Sequence, residues 1–422
     1  MIVYGAKVLD TPTIIKAMQD KEKHNVRIKK LQDYYNGQHE ICYRHYDDPT
    51  KPNNRIVVNY CKDIADFLTA YVCGVPVEYN AEGKVAETLA YNDDAAEMQS
   101  VLHDMVVCGY AVELFYTDEN GDARYNNIDP MECIVFMNDD LQGDIVGFVR
   151  MVKRDKNLGG YYVTVYTATT VQEFIADDAL GTLTQTTEQS EHHYGDVPVV
   201  MYPNGDNLQG NFEQVIPLQD ALNKVVSDSV NDWESFVDSY LVLEGMQGTT
   251  PEDIAQMKKD RVLLTDPDSK AYWLTKQADN ARIKTMQDDL RRMILELGNI
   301  PDMQELSGLN TSGEAMRMKL TKTEIQASRL ERIMTKGVQR KIELLYNILR
   351  LTDDHMEYME VVPKFTRNFL INDIDSVLQS AEYLDEEYIT SKILTMLGDS
   401  DKVQEVLRRK DAEAAERYTA TE

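Results

Sequence analysis

The chain has 422 residues, 43% of them hydrophobic, enough for two or three domains around a substantial core. Lysine and arginine total 44 against 72 aspartates and glutamates, a formal net charge of -28. This excludes the broad basic surface of an ordinary nucleic-acid binder, so any DNA the protein handles is not gripped through phosphates over a wide area.

No uncharged apolar run reaches the roughly 20 residues of a membrane span. The opening stretch from Met1 to Asp10 lacks the basic region and apolar segment of a secretory signal. The expectation is a folded, soluble protein that neither enters nor crosses a membrane by its own sequence. Cys42, Cys61, Cys73, Cys108 and Cys133 are scattered through the first third with no paired spacing, and are expected to be reduced core thiols.

Ile56, Val57, Tyr60, Ile64, Phe67, Leu68 and Tyr71 recur every three or four positions, which predicts an amphipathic helix stopped by Cys73-Gly74-Val75-Pro76. A second helix is expected over Glu97 to Val107, ending at Gly109. Strands follow at Ala111 to Thr117 and Ala123 to Ile128, flanking the turn-rich stretch Asp118 to Asp122, which reads as a hairpin loop. Further β-rich runs cover Cys133 to Met137, Ile145 to Val152, Tyr161 to Tyr166, Val171 to Ile175 and Thr182 to Thr187. The region to about residue 205 is therefore predicted to be a mixed α/β unit.

From Gln214 the pattern becomes helical, with Val215, Leu218, Leu222, Val225, Val226, Val230, Trp233 and Val237 available for one face. Leu241 to Gln277 reads as a small inserted module with one short polar helix near Glu252 to Lys259. Helical periodicity resumes at Ile283 and runs to Leu297, then breaks at Gly298-Asn299-Ile300-Pro301. Asp302 to Thr311 is a loop by composition. Ser312 is placed to cap a helix running to about Leu351, far longer than most globular helices. Short helices and a charged tail complete the chain.

No phosphate loop, nucleophile elbow, His-Glu-x-x-His pair or Cys-x-x-Cys pair occurs. His192-His193 beside Glu191 offers metal-ligand chemistry, but neighbours on a strand point to opposite faces, so strand-edge histidines are the preferred reading. Asp93-Asp94 and Asp139-Asp140 offer carboxylates for a magnesium-dependent nuclease, yet paired acids are common in so acidic a chain. The expectation is no catalytic site, no metal and no cofactor. From Ala278 to Arg350 the charge reverses locally to +3. A solvated helix with intrahelical pairs explains this at least as well as a stripe facing DNA.

Six short elements in order carry a resemblance. They are Tyr34-Tyr35-Asn36-Gly37-Gln38-His39, Asn53-Asn54-Arg55-Ile56-Val57-Val58-Asn59-Tyr60, and Tyr71-Val72-Cys73-Gly74-Val75-Pro76-Val77. His193 to Val200 with Pro203-Asn204 and Gly210-Asn211-Phe212-Glu213 follow, then Ile300-Pro301-Asp302 with Thr311-Ser312-Gly313-Glu314-Ala315. Tyr388-Ile389-Thr390-Ser391-Lys392-Ile393-Leu394 closes the series. Together these resemble the portal proteins of long-tailed phages, in particular those of Gram-positive hosts.

The resemblance implies an α+β, largely α-helical portal fold with wing, stem, clip and crown, assembling as a ring. It assigns residues 1–210 to the wing, 211–240 to a first stem helix, 241–277 to the clip, 278–298 to a second stem helix, 299–365 to the tunnel loop and long wing helix, and 366–422 to the crown. It implies a DNA-channel loop of Gln304, Glu305, Leu306, Ser307, Gly308, Leu309, Asn310 and Thr311. Gly308 and Gly298 would allow that loop and its base conformations closed to other residues. It also implies a docking clip carrying Gln247, Thr249, Glu252, Lys258, Lys259, Asp266 and Asp268.

The implied partners are other copies of the chain, twelve to a ring, double-stranded DNA in the channel, the terminase large subunit, a head-tail adaptor protein, and the major capsid and scaffolding proteins. The implied location is the virion, at the portal vertex of the capsid, after synthesis in the host cytoplasm. The competing reading is another ring-forming phage structural protein, an adaptor or scaffold, that does not conduct DNA.

Overall fold

The computed structural model describes residues 1–6, 9–49, 51–140, 143–237, 240–244, 250, 252, 270–274, 280–303, 313–351, 358–367, 388–391, 406 and 408–409. After the short strand β1 (Ile2–Tyr4), α1 (Thr11–Tyr35) begins where Asp10 accepts a hydrogen bond from the Thr13 amide and Pro12 fixes the first turn. Three helices follow, α2 (Tyr60–Cys73), α3 (Gly83–Tyr91) and α4 (Asp94–Cys108), with the two-residue strand β2 (Glu78–Tyr79) between α2 and α3.

Strands then dominate: β3 (Tyr110–Thr117), β4 (Ala123–Ile128), β5 (Cys133–Met137), β6 (Ile145–Lys153), β7 (Tyr161–Tyr166), β8 (Thr170–Ala176), β9 (Leu183–Gln185), β10 (Ser190–Glu191) and β11 (Val199–Pro203). One sheet has the order β1-β5-β6-β7-β8-β10, with β9 also paired to β8 and only the β1–β5 pairing parallel. The other has the order β11-β3-β4. The expected hairpin at Asp118 to Asp122 is present: the Asp118 amide donates to the Asp122 carbonyl, and Gly121 takes a positive φ of 88°.

Two cores form, and the larger sheet lends Cys133, Val135 and Phe148 to the core of the smaller. On the larger one, Ile14 and Met18 of α1 bury against Ile134, Phe136, Val149 and Val163. On the smaller, β3 and β11 meet α2 and α4 in a core that includes Leu68, Val72, Val101, Leu102, Val112 and Tyr202. Gly109 ends α4 at φ +86°, and a Cβ there would lie 2.0 Å from the Leu208 carbonyl oxygen, so both backbone and space require glycine. The cysteines are free, and burial pushes the thiols of Cys61, Cys73 and Cys133 up to about 12, which keeps them protonated and inert.

The second half is helical: α5 (Ile216–Val237), α6 (Asn280–Leu297) and α7 (Gly313–Leu349). The 37 residues of α7 extend about 55 Å at 1.5 Å per residue, as the unbroken periodicity predicts. Between α5 and α6, strands β12 (Tyr240–Glu244) and β13 (Lys270–Leu274) pair antiparallel, a hairpin stem that hydrophobic spacing did not announce. Strand β14 (Pro363–Lys364) returns to pair with β2. No helix among the described residues is long and apolar enough to cross a membrane.

Two sequence expectations are corrected. Ile56 and Val57 are not helical, because α2 starts only at Tyr60 and residues before it run extended beside α5. Trp233 does not belong to the buried face of α5, since 71% of it is exposed.

Helix α7 lies against β11, where Gly337 admits the ring of Tyr202. A Cβ at 337 would stand 1.9 Å from the Tyr202 Cε1 atom. Gly337→Ala is therefore expected to destabilise by about 1–3 kcal/mol despite the better helix propensity of alanine, read as a lower denaturant midpoint. A midpoint at or above the parent value would refute this packing.

Candidate channel and docking elements

The elements to which the resemblance assigns the stem, clip and channel loop are α5, the β12–β13 hairpin, α6, the break after it, and α7. Their positions rest on polar contacts that periodicity alone does not reveal. The extended arm from residue 53 to 59 runs antiparallel to α5 and has no strand partner among the described residues. Its amides are satisfied by side chains of the helix instead: Asn54 N donates to Asn231 Oδ1 at 2.8 Å, Ile56 N to Ser227 Oγ at 2.9 Å, Val58 N to Asn223 Oδ1 at 3.0 Å, and Tyr60 N to Gln219 Oε1 at 3.1 Å. Gln219 Nε2 returns a bond to the Val58 carbonyl at 2.6 Å.

The match is metric. Two extended residues advance about 6.6 Å and four helical residues about 6 Å, so alternate amides of the arm meet every fourth residue of the helix. Gln219, Asn223 and Ser227 are fully buried, and burial is tolerable only because each is paired.

The Tyr34 to His39 element reaches the same helix. Gly37, at φ +79°, turns the chain after α1, and buried His39 stacks on Tyr34 with ring centroids 4.6 Å apart. His39 Nε2 meets the Tyr34 carbonyl and its Nδ1 meets Asn223 Nδ2, both at 2.8 Å. Tyr34 donates its hydroxyl to Asp220. Arg44 closes the junction by bonding Asp228 and the Asn54 carbonyl, each at 2.6 Å. Two of the six resemblance elements thus converge on one helix.

Helix α6 ends at a rigid corner. Asn299 takes φ +56° and its carbonyl accepts from Thr323 Oγ1 of α7 at 2.7 Å. Arg291 and Asp302 form a two-pronged pair at 2.8 and 3.1 Å across the break. Gly298, expected to supply unusual backbone freedom, serves another purpose: Asn299 holds the left-handed conformation, and Gly298 is close-packed, its Cβ position lying 2.6 Å from Ile64 Cδ1. A cleft of about 260 Å³ opens beside this corner, with Arg292, Glu296, Lys319 and Lys322 on its walls.

Helix α7 is fastened by a buried charge cluster. Lys341, fully buried, pairs with Asp94 at 2.8 Å and Glu113 at 2.7 Å. Tyr79 and Tyr125 donate hydroxyls to Asp94, and Tyr202 donates to Glu113. Burial alone raises the Asp94 carboxyl, but Lys341 and the two phenols more than offset it and hold it below its ordinary value. For Glu113 burial prevails and its carboxyl is raised. Near the other end of α7, Arg367 bridges Glu324 at 2.8 Å and Glu331 at 2.7 Å, and Tyr71 donates to Glu324.

The pairs considered for catalysis do not converge. Buried Asp94 is taken by Lys341, while Asp93, at φ +49°, occupies the N-cap position of α4 without a side-chain hydrogen bond to the helix. Asp139 lies against Gly5, and Asp140 accepts from Asn138. His192 bonds the Thr167 carbonyl at 2.9 Å, while His193 is exposed and 3.8 Å from Glu191. No group of three potential metal ligands occurs among the described residues.

Gln304, Glu305, Leu306, Ser307, Gly308, Leu309, Asn310 and Thr311 of the expected channel loop lie outside the described residues, as do Gln247, Thr249, Lys258, Lys259, Asp266 and Asp268 of the expected clip. Glu252 is helical and exposed.

A curated relative, the portal protein of Clostridium phage phiCD119, is 22% identical over 360 residues, covering 76% of this chain and 77% of its own. Among solved structures, the neck of an empty gene transfer agent particle computed with C6 symmetry aligns with a TM-score of 0.46 at 12% identity, over 80% of this chain and 88% of that one. A chain in the virion of a native gene transfer agent particle aligns at 0.43 and 13% identity, with the same coverages. The family model described as phage portal protein, SPP1 Gp6-like, matches residues 15–419. With the match running through both large sheets, the anchored helix and the corner alike, the chain belongs to the SPP1 Gp6-like family of phage portal proteins.

Proposed function

We propose that this protein forms a ring of twelve copies at one capsid vertex and that double-stranded DNA passes through the centre during packaging and ejection. The observation that carries this reading is the family match over residues 15–419, spanning the succession α5, hairpin, α6, corner and α7. In this reading α5 and α6 are the stem, the β12–β13 hairpin is the base of the clip, and the segment between the corner and α7 is the channel loop. The clip residues from Gln247 to Asp268 dock the terminase large subunit and later a head-tail adaptor protein. The wing meets the major capsid and scaffolding proteins, residues 366–422 form the crown, and the protein acts without catalysis of its own.

The charge suits this role. A net charge of -28 repels a phosphate backbone and keeps the duplex from adhering, while contact is confined to one nearly uncharged loop. Tight contacts that release counterions would hold the cargo in place.

Electron micrographs of the purified protein test the assembly: rings with a central hole are expected, and monomers or filaments overturn the reading. A deletion of residues 304–311 tests the loop. The corner that precedes it is held by Arg291, Asp302 and Thr323, so rings are expected to form normally while DNA retained per particle falls severalfold. Unchanged packaging by loop-deleted rings would remove the loop from the channel.

A further inference from the structure

Helix α7 carries a regular face on the side away from the core. Met318, Lys322, Ile325, Arg329, Arg332 and Lys336 are spaced by four and three residues in turn, which places them in one stripe, and every one is exposed, Ile325 by 66% and Met318 by 74%. The buried side, with Leu320, Ala327, Leu330 and Met334, lies opposite. In a chain of net charge -28 this stripe holds four cations and no carboxylate.

Helix α6 has a matching face. Met286, Asp289, Met293 and Glu296 follow a spacing of three and four residues and are likewise exposed. Asp289 and Glu296 flank Met293, four residues before it and three after, as Lys322 and Arg329 flank Ile325, three residues before it and four after. These mirror spacings coincide residue for residue when two such helices run antiparallel, and to within one residue when they run parallel. Glu296, Lys322 and Arg329 have no ion-pair partner among the described residues. Asp289 meets exposed Arg292 through Oδ1, a surface pair that exchanges readily.

The two faces do not meet within one copy. Met293 and Ile325 both stay exposed, and Glu296 and Lys322 stand unpaired on the walls of the cleft beside the corner. A lone exposed apolar side chain is ordinary. Here each is centred between charges, acidic on one helix and basic on the other, at the same spacing.

Resting on the ring reading above, we propose that Met293 of one copy packs on Ile325 of the next, with Asp289 and Glu296 paired to Lys322 and Arg329. Two unlike patches on one chain make a head-to-tail contact, which repeats around a ring until it closes. The corner held by Arg291 with Asp302 and by Thr323 with Asn299 fixes the angle between the patches, and with it the closure. The local attraction offsets the repulsion between copies that each carry a charge of -28.

The test uses full-length protein in a Cys42→Ser background, the other four thiols being buried and slow to oxidise. Copies carrying Met293→Cys are co-expressed with copies carrying Ile325→Cys and treated with mild oxidant. A cross-linked dimer is expected from the mixture and from neither variant alone, and a single chain with both substitutions is expected to give a ladder of multimers. Val26→Cys, exposed on α1, replaces Met293→Cys in the control mixture. Parent rings in micrographs beside a mixture that gives no more product than the control overturn the contact and leave the ring reading standing. Parent protein that stays monomeric overturns both.

Charge reversal reads the same contact independently. Lys322→Glu with Arg329→Glu, or Asp289→Lys with Glu296→Lys, is expected to cut the yield of rings severalfold, and all four together to restore it. Pairs that leave the yield unchanged, or a quadruple variant no better than either pair, overturn the proposal.

Discussion

Lys341→Met is expected to be the most damaging single substitution in the described core, at about 3–5 kcal/mol, because it leaves Asp94 and Glu113 buried without their cation. The lysine is wholly enclosed, its Nζ within 2.8 Å of both carboxylates, and three tyrosines complete the shell. Removing a partner from such a cluster costs more than the cluster itself contributes, since a buried unpaired charge has no water to turn to. The triple substitution Lys341→Met, Asp94→Asn and Glu113→Gln removes the charges together and is expected to recover most of the loss. A single Lys341→Met variant unfolding within 1 kcal/mol of the parent would show that the cluster does not fasten α7.

The sign of the pH dependence follows. In the parent, the Asp94 carboxyl is lowered, so its contribution is present above the ordinary aspartate value and lost as pH falls through the lower folded value. Without Lys341 both carboxyls rise, and the variant gains relative stability as they protonate. Its deficit is therefore expected to be larger at pH 7 than at pH 4, in matched denaturant titrations; a deficit that grows towards acid would contradict this.

Lys341 also shows where sequence reading stops. Within α7 it sits among Lys336, Arg340 and Glu343 and reads as one more solvated charge, because its partners lie well over two hundred residues earlier. The hairpin at Asp118 to Asp122 and the end of α4 at Gly109 were legible, since turn and cap chemistry is local. Ile56 and Val57 misled for a related reason. Their spacing fits a helix, but the amides of that segment are answered by side chains of α5, some 170 residues on, and extended backbone wins. The column Gln219, Asn223, Ser227, Asn231 was present as a sequence signal, a run of amides and a hydroxyl at every fourth position beside an apolar column. It becomes meaningful only once a partner with a two-residue period is known. The two N-terminal resemblance elements are the segments that meet this column.

Asn223 is the centre of that junction, and Asn223→Leu is expected to cost about 3 kcal/mol, second only to Lys341→Met. The volume is nearly kept, so the loss is polar: the Val58 amide, Gln219 Nε2 and His39 Nδ1 each lose a buried partner, at roughly 1–3 kcal/mol for each group left unsatisfied. The contrast is Asp228→Asn, which weakens a pair whose aspartate is 43% exposed and should cost well under 1 kcal/mol. Hydrogen exchange locates the effect. In Asn223→Leu the amides of Ile56 and Val58 should lose protection together, because the arm has no strand partner to hold it once the helix column is interrupted, while the amides of β3 keep theirs. Retained protection at Val58 would mean that the arm is held by something other than α5.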